Sequence, residues 1–290
     1  MLLRGVASVR MAHTAGIVLA GGRSSRMGRP KAALEWHGST LLRRVVGLIG
    51  RAVDGPVVVV RAPGQDLPPL PDAVEVVEDA REGQGPLQGL AAGLGAVHAR
   101  APVAYVSSTD VPLLHPLFVR RVLGALDDDV DVVLPHVGGF RHPLAAAYRT
   151  ELADAVERLI TQDRMRPAFL FEICRVRLLD DEALLADPAL AALDPGLDSV
   201  LNLNEPADYE DARARPAPDI AIRVFGALRR LVADPQVVAA ATVGEAAAAS
   251  GLTLDEHIVA ALNGDHMTRD PESPLAAGDT VSFLAADAGG

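Results

Sequence analysis

The chain has 290 residues, 49% of them hydrophobic, and a formal net charge of −11. That length and apolar content provide for two cored domains, and the acidic balance excludes a general nucleic-acid binder, which needs a basic face. The single cysteine, Cys174, leaves no intramolecular disulfide, and no apolar run approaches the roughly 20 residues of a membrane span, so the expectation is a cytoplasmic protein with neither nucleic acid nor membrane as partner.

Residues 1–14 carry Arg4 and Arg10 but no long apolar segment, and read as a disordered tail. The apolar run Gly16–Ala20 then reads as a buried parallel strand. It gives way to Gly21 and Gly22, where the backbone turns sharply and a ligand can approach the amides. Arg23, Arg26 and Arg29 add positive charge, and Gly28-Arg29-Pro30 turns the chain to deliver Lys31. Lys31 is the only lysine in the sequence. Where arginine serves every other basic position, a retained lysine points to a need for a compact ammonium, as in a phosphate clamp. The loop is neither a P-loop nor a G-x-G-x-x-G fingerprint.

Ser39-Thr40 caps a helix with apolar residues Leu41, Leu42, Val45, Val46 and Ile49 at helical spacing. Pro56–Val60 and Val74–Val77 read as strands joined by the proline-rich stretch 63–71, and the second ends in Glu78-Asp79. Gly83-Gln-Gly85-Pro86-Leu87-Gln-Gly89 opens an alanine-rich helix reaching Ala99. Val103–Val106 is a strand ending in Ser107-Ser-Thr-Asp110-Val-Pro112, Pro116 opens a helix, and Val130–Leu134 is a further strand. Gly138-Gly-Phe-Arg141-His142-Pro-Leu144 precedes a strand to Tyr148. Strands alternating with helices imply a Rossmann-like α/β fold, a mostly parallel sheet with helices on both faces. Ligands of such sheets sit beyond the carboxyl ends of the strands, where Leu19–Lys31, Asp79, Gly85–Gly89 and Asp110 all fall. A carboxylate at Asp110 is placed to hold a Mg²⁺ ion bridging phosphates.

Residues 213–219 read as a linker, placing one domain over 15–212 and a second over 220–290. In the second, Ile220–Phe225 is a strand, Gly226–Leu231 a short helix, Thr242 and Glu245 have capping-box spacing, Ile258–Gly264 is a strand into an Asn-Gly turn, and Leu275–Leu284 is a turn and a strand. About 70 residues of this character suit a small α+β β-grasp, ubiquitin-like domain, here ending in Gly289-Gly290.

Leu19-Ala20-Gly21-Gly22-Arg-Ser-Ser-Arg26-Met-Gly-Arg-Pro-Lys31 resembles the L-A-G-G-x-S-x-R-M-G-x-x-K signature of sugar-nucleotide and cofactor nucleotidylyltransferases, and among them most resembles molybdenum cofactor guanylyltransferase. Pro30 stands where many of those enzymes have Asp. Thr109-Asp110-Val-Pro112 resembles the family's C-D-x-P metal motif, with Thr109 in place of cysteine, and Gly85-Pro86-Leu87-Gln-Gly89 its G-P-L-x-G segment. The resemblance implies GTP as substrate, bound by Leu19, Ala20, Gly21, Gly22, Lys31, Asp79, Gly85, Pro86, Leu87 and Asp110, with Lys31, Arg26 and Asp110 catalytic and Asp110 on Mg²⁺. Arg141 and His142 match a segment facing the second substrate, molybdopterin, and Asn202 and Asn204 match the N-x-N-T/E-P segment that closes the site. A β-hairpin at 138–144 and a plain turn at 202–204 fit those residues equally well.

The second domain's F-x-x-L-R, L-N-G, L-x-x-G-D-x-V and Gly-Gly pieces resemble the small subunit of molybdopterin synthase, a ubiquitin-like sulfur carrier, although Ala285-Ala286 replace the prolines usual before the tail. That likeness implies adenylation and thiocarboxylate formation at Gly290, with an ATP-dependent activating enzyme and the molybdopterin synthase large subunit as partners. Two alternatives stay open: a cytidylyl- or sugar-phosphate nucleotidylyltransferase, and a non-catalytic sulfur carrier or adaptor with a degenerate first domain.

Overall fold

A computed structural model of the chain describes residues 13–21, 30–79 and 85–285. In chain order, β1 (Thr14–Leu19) is buried along its whole length. The two-residue strands β2 (Glu35–Trp36) and β3 (Ser39–Thr40) form a hairpin leading into α1 (Leu41–Gly50), where the Thr40 hydroxyl accepts the Arg43 amide as the sequence predicts. Next come β4 (Val57–Arg61), β5 (Val74–Glu78) and α2 (Pro86–Val97). Pro86 takes the first helical position, where its missing N–H costs nothing. After β6 (Val103–Ser108), α3 (Pro116–Leu123) is capped by His115, whose Nδ1 accepts the Leu117 amide at 3.1 Å. Strands β7 (Val132–Val137) and β8 (Phe140–Arg141) form a hairpin before β9 (Ala145–Arg149). The helices α4 (Ala153–Thr161) and α5 (Pro167–Phe171), strand β10 (Val176–Asp180), and helices α6 (Asp181–Leu185), α7 (Pro188–Leu193) and α8 (Pro206–Arg213) complete this part.

Among the described residues the large sheet has the order β10-β7-β9-β6-β1-β4-β5, with β8 on β7. Its ladders are parallel except for those of β9 with β6 and β7 and of β8 with β7, so the expected mostly parallel sheet is present. Alternate side chains enter the two layers. Val18, Val59, Tyr105 and Val133 pack beneath α1 and α3, while Ile17, Val58, Ala104 and Val132 pack against α2 and α4. With so few aromatics, close approach compensates: a Cβ on Gly93 of α2 would lie 2.5 Å from Ile17 Cγ2, so the helix sits directly on the strand.

Residues 214–218 connect to a second sheet built from β11 (Asp219–Val224), β12 (Gln236–Ala239), β13 (Ile258–Leu262), β14 (His266–Thr268) and β15 (Thr280–Ala285), crossed by α9 (Val243–Ala249). Its order is β12-β11-β15-β13-β14 with a parallel central pair, the β-grasp arrangement. Val224, Val243, Ala246, Leu262 and Phe283 fill its core. Thr242 accepts the Glu245 amide at 3.2 Å, but Glu245 returns to the Ala241 amide, one residue before the capping-box position.

The segment between β14 and β15, residues 270–279, lies against α1 and its C-terminal end. Arg51 pairs with Asp279 and also donates to the Pro274 carbonyl at 3.0 Å, while Arg43 reaches Asp270 at 2.6 Å and Glu272 at 3.4 Å. Gly47, on the same helix, leaves room for the Pro274 ring: a Cβ there would come within 2.6 Å of it.

Candidate active site

The carboxyl end of β6 carries Ser108 and, two residues later, Asp110. The turn after Pro30 presents Lys31, and its ammonium meets Asp110 Oδ2 at 2.8 Å with both side chains more than four-fifths buried. The other oxygen of that carboxylate, Oδ1, is buried and has no hydrogen-bond partner among the described residues. A buried carboxylate oxygen without a donor carries a desolvation cost that a cation would relieve.

Below Asp110 opens a cavity of about 290 Å³ lined by Ser108, Asp110, Arg141, His142, Asn202 and Asn204, together with apolar neighbours. Five residues that the sequence singled out separately are thus brought to one wall. The hairpin β7–β8 delivers Arg141 and His142, and the His142 amide donates to the Pro135 carbonyl at 2.9 Å. In the loop before α8, Leu203 is fully buried against Trp36, Leu41 and Ala212, which leaves Asn202 and Asn204 on either side to face the cavity. The Leu203 amide donates to the Asp110 carbonyl at 2.9 Å, tying this loop to Asp110. The Asn204 and Glu205 amides are held by Asp208, which orients the loop into α8. Burial pushes the His142 imidazole below its ordinary range, partly offset by its contact with the Val137 carbonyl, so the ring is neutral at pH 7.

The other side of the site begins at Leu19 and Ala20, both buried, with Ala20 donating to the Val60 carbonyl at 2.8 Å. Gly21 is exposed at the strand end. Asp79, half-buried after β5, is fixed by its amide to the Arg61 carbonyl at 2.8 Å. Gly85 adopts φ +90° as the cap of α2, a conformation that favours glycine. Leu87 is fully buried in the layer under α2, so its side chain belongs to the core, while Gly85 is exposed and Pro86 half-exposed. Gly22, Arg26 and Gly290 lie outside the described residues.

Two residues of the site escaped the sequence reading. Gln65 donates to the Ala20 carbonyl at 3.0 Å and accepts the Ala62 amide, bracing the end of β1 from within a proline-rich connection that shows no periodic signal. The buried Ser108 hydroxyl has no partner among the described residues and lines the cavity beside Asp110. Its signal is the pair of serines that closes an apolar strand, Ser107 and Ser108. Cys174 is half-buried against the layer under α2, and burial raises its thiol to about 11, far from a reactive thiolate.

The profile of the MobA-like NTP transferase domain matches residues 16–176, more than half of the chain. The chain belongs to the MobA-like NTP transferase family. A second profile, the ThiS family, matches residues 222–290, which cover the β-grasp sheet. A protein of Mycobacterium ulcerans named "Probable molybdenum cofactor guanylyltransferase" is 40% identical over 184 residues, 61% of this chain and 90% of that protein. One of the same name from Mycobacterium tuberculosis is 45% identical over 150 residues, 50% of this chain and 73% of that protein. The crystal structure of molybdopterin-guanine dinucleotide biosynthesis protein A from Archaeoglobus fulgidus shares the fold at 23% identity and a TM-score of 0.52, covering 69% of this chain and 96% of that one. This MobA-like chain is therefore a nucleotidyltransferase carrying a ThiS-like domain. No described helix is long and apolar enough to cross a membrane.

Proposed function

We propose that this chain transfers GMP from GTP to molybdopterin, releasing pyrophosphate. The observation that carries the reading is the Lys31–Asp110 pair at the head of a cavity walled by Arg141, His142, Asn202 and Asn204. A terminal phosphate oxygen of molybdopterin attacks the α-phosphorus of GTP in line; the new P–O bond forms as the bond to the β-phosphate oxygen breaks, and pyrophosphate leaves with the electron pair. The protein's part is positioning and charge stabilisation. The amides from Gly21 onward and the Lys31 ammonium hold the triphosphate, and Arg26 steadies the leaving group. The backbone at Gly85–Leu87 faces the guanine, with Asp79 beside the nucleotide. Arg141 supplies positive charge for the acceptor's phosphate, neutral His142 a hydrogen bond, and Asn202 and Asn204 the paired donors and acceptors that suit a pterin edge.

Asp110 fits a Mg²⁺ ion: its Oδ1 is buried and unpartnered, and magnesium commonly takes one or two carboxylates with the rest of its shell from substrate phosphates and water. Bound there, the ion would neutralise the charge developing on the α-phosphate. The test is pyrophosphate release by the full chain given Mg²⁺, molybdopterin and GTP. Release that requires both substrates supports the reading, and release with a sugar phosphate instead moves the acceptor assignment elsewhere.

For the β-grasp part, we propose a sulfur-carrier role in molybdopterin synthesis. The ThiS match through residue 290 supports it. Gly290 would be adenylated by an ATP-dependent activating enzyme and converted to a thiocarboxylate for the molybdopterin synthase large subunit. Intact mass after incubation with an activating enzyme, ATP and a sulfur source tests this. Exchange of one oxygen for sulfur is the expected result, and an unmodified chain would leave the domain a docking module.

A further inference from the structure

The strongest unexplained group outside the cavity is Arg44. It lies on α1 and is 5% exposed, an unusual place for a guanidinium. Its partners are main-chain carbonyls: Nε donates to Pro112 at 2.5 Å, and the two terminal nitrogens donate to Ala241 at 3.1 Å and Leu275 at 3.2 Å. Pro112 lies two residues beyond Asp110 in the loop after β6. Ala241 and Leu275 belong to the β-grasp part and are themselves joined by a backbone hydrogen bond of 2.8 Å. A single side chain therefore ties the loop after Asp110 to two connecting segments of the β-grasp part.

The same loop is held again at its far end. The Nδ1 of His115 accepts the Leu117 amide, which leaves the proton on Nε2, and Nε2 donates to the Ala277 carbonyl of the β-grasp part at 3.0 Å. Among the ties that hold residues 110–115, those through Arg44 and His115 end on connecting segments of the β-grasp part, while Leu203 and Ser199 hold the loop from its own domain. Arg44 also sits one turn into a helix whose first amide, that of Leu41, donates to the Leu34 carbonyl at 2.9 Å, at the end of the turn that presents Lys31. Both members of the Lys31–Asp110 pair are thus referenced to α1.

We propose that Arg44 is a positioning residue for nucleotidyl transfer, and that the docked β-grasp part is a structural component of the transferase site, setting the Asp110 loop through Arg44 and His115. The proposal rests on the transferase reading above. An arginine suits the task because its planar fork reaches three acceptors in fixed directions, which a lysine cannot do. Burial lowers its pKa to about 10, with the neighbouring Arg51 adding to the shift, yet the group stays charged at pH 7. Carbonyl acceptors on two domains are what keep that charge buried, so separating the domains would uncover it.

The experiment uses full-length Arg44→Lys, Arg44→Met and His115→Gln, with Asp279→Asn as a variant that loosens the docking from the Arg51 side, remote from the cavity. Readouts are kcat and KM for pyrophosphate release, the Mg²⁺ concentration for half-maximal activity, MgGTP affinity by calorimetry, and folded fraction by circular dichroism. The expected result is a fall in kcat of about 10- to 100-fold for Arg44→Met in the folded protein, since misplacement of a catalytic group by an ångström can cost about 10²-fold. A higher Mg²⁺ requirement should accompany it, with KM for GTP little changed, and Asp279→Asn should shift the same quantities less. If Arg44→Met does not fold, His115→Gln and Asp279→Asn decide. Folded variants with wild-type kcat and Mg²⁺ dependence would overturn the proposal and leave Arg44 a purely structural clasp. A wild-type chain that neither binds MgGTP nor releases pyrophosphate would instead refute the transferase reading.

Discussion

Lys31 and Asp110 stand 79 positions apart in the chain and 2.8 Å apart in the fold. One comes from the turn after the phosphate loop and the other from the end of the adjacent central strand, so the parallel pairing of β1 with β6 is what joins them. In this arrangement each charge is held ready by the other: the ammonium is kept from solvent by a carboxylate that it leaves half satisfied.

Removing either member should be costly in different ways. Asp110→Asn keeps the shape and loses the charge, and a fall in kcat of at least about 10²-fold is expected, comparable with the loss of an oxyanion-hole donor. It should not be restored by raising Mg²⁺. Lys31→Arg keeps the charge but replaces a compact ammonium with a planar fork, and a loss of similar order is expected. Steady-state kinetics on purified variants checks both, and near-wild-type turnover by Lys31→Arg would remove the significance of the chain's only lysine.

His142 provides a pH test. Its folded pKa lies below its ordinary value of 6.5, so it is neutral above that pH and gains charge only on acidification past it. Acceptor KM attributable to this ring should therefore be flat from about pH 7 to 9 and should change only below its ordinary range. His142→Gln should remove that acidic limb. The stability consequence has the same sign: because the unfolded ring binds a proton more readily than the folded one, the contribution of a neutral His142 is present above pH 6.5 and is lost as pH falls through the folded pKa. Thermal melts across the acidic range for wild type and His142→Gln would show it.

Gly47 reports on the contact between the two parts. Alanine in a helix interior is worth about 1 kcal/mol over glycine, so Gly47→Ala would be stabilising if the site were open. Here the new Cβ would stand 2.6 Å from Pro274 Cδ, and overpacking of that kind costs about 1–3 kcal/mol. A net loss of about 1 kcal/mol is expected, seen as a lower Tm by differential scanning calorimetry. Pro274→Ala in the same chain should recover it, since the two positions touch and their effects couple.

Much of this layout was legible in the sequence. The strands β1, β4, β6, β7 and β9 are short apolar runs buried on both faces, and their ends name the site because ligands collect at that edge of a parallel sheet. Asn202 and Asn204 were readable as a motif, but only the burial of Leu203 between them shows why both face the cavity. The edge strands β10 and β12 escaped because short, half-exposed apolar stretches like theirs do not separate strand from helix by periodicity. Arg44 escaped for a different reason. On an amphipathic helix a single arginine reads as part of a solvated face, and its role depends on carbonyls of residues about 70, 200 and 230 positions away, which no local pattern encodes.

The most direct test of the central claim is the mass of the product formed when the full chain is incubated with Mg²⁺, molybdopterin and, in separate reactions, GTP, CTP or ATP. The account predicts a molybdopterin–GMP conjugate from the GTP reaction, with pyrophosphate in equal amount, little product from the other nucleotides, and none from any of them in Asp110→Asn. A cytidylyl conjugate as the main product would contradict the assignment of the Gly85–Leu87 segment to guanine, and no conjugate with any nucleotide from a folded, nucleotide-binding chain would contradict the proposed reaction.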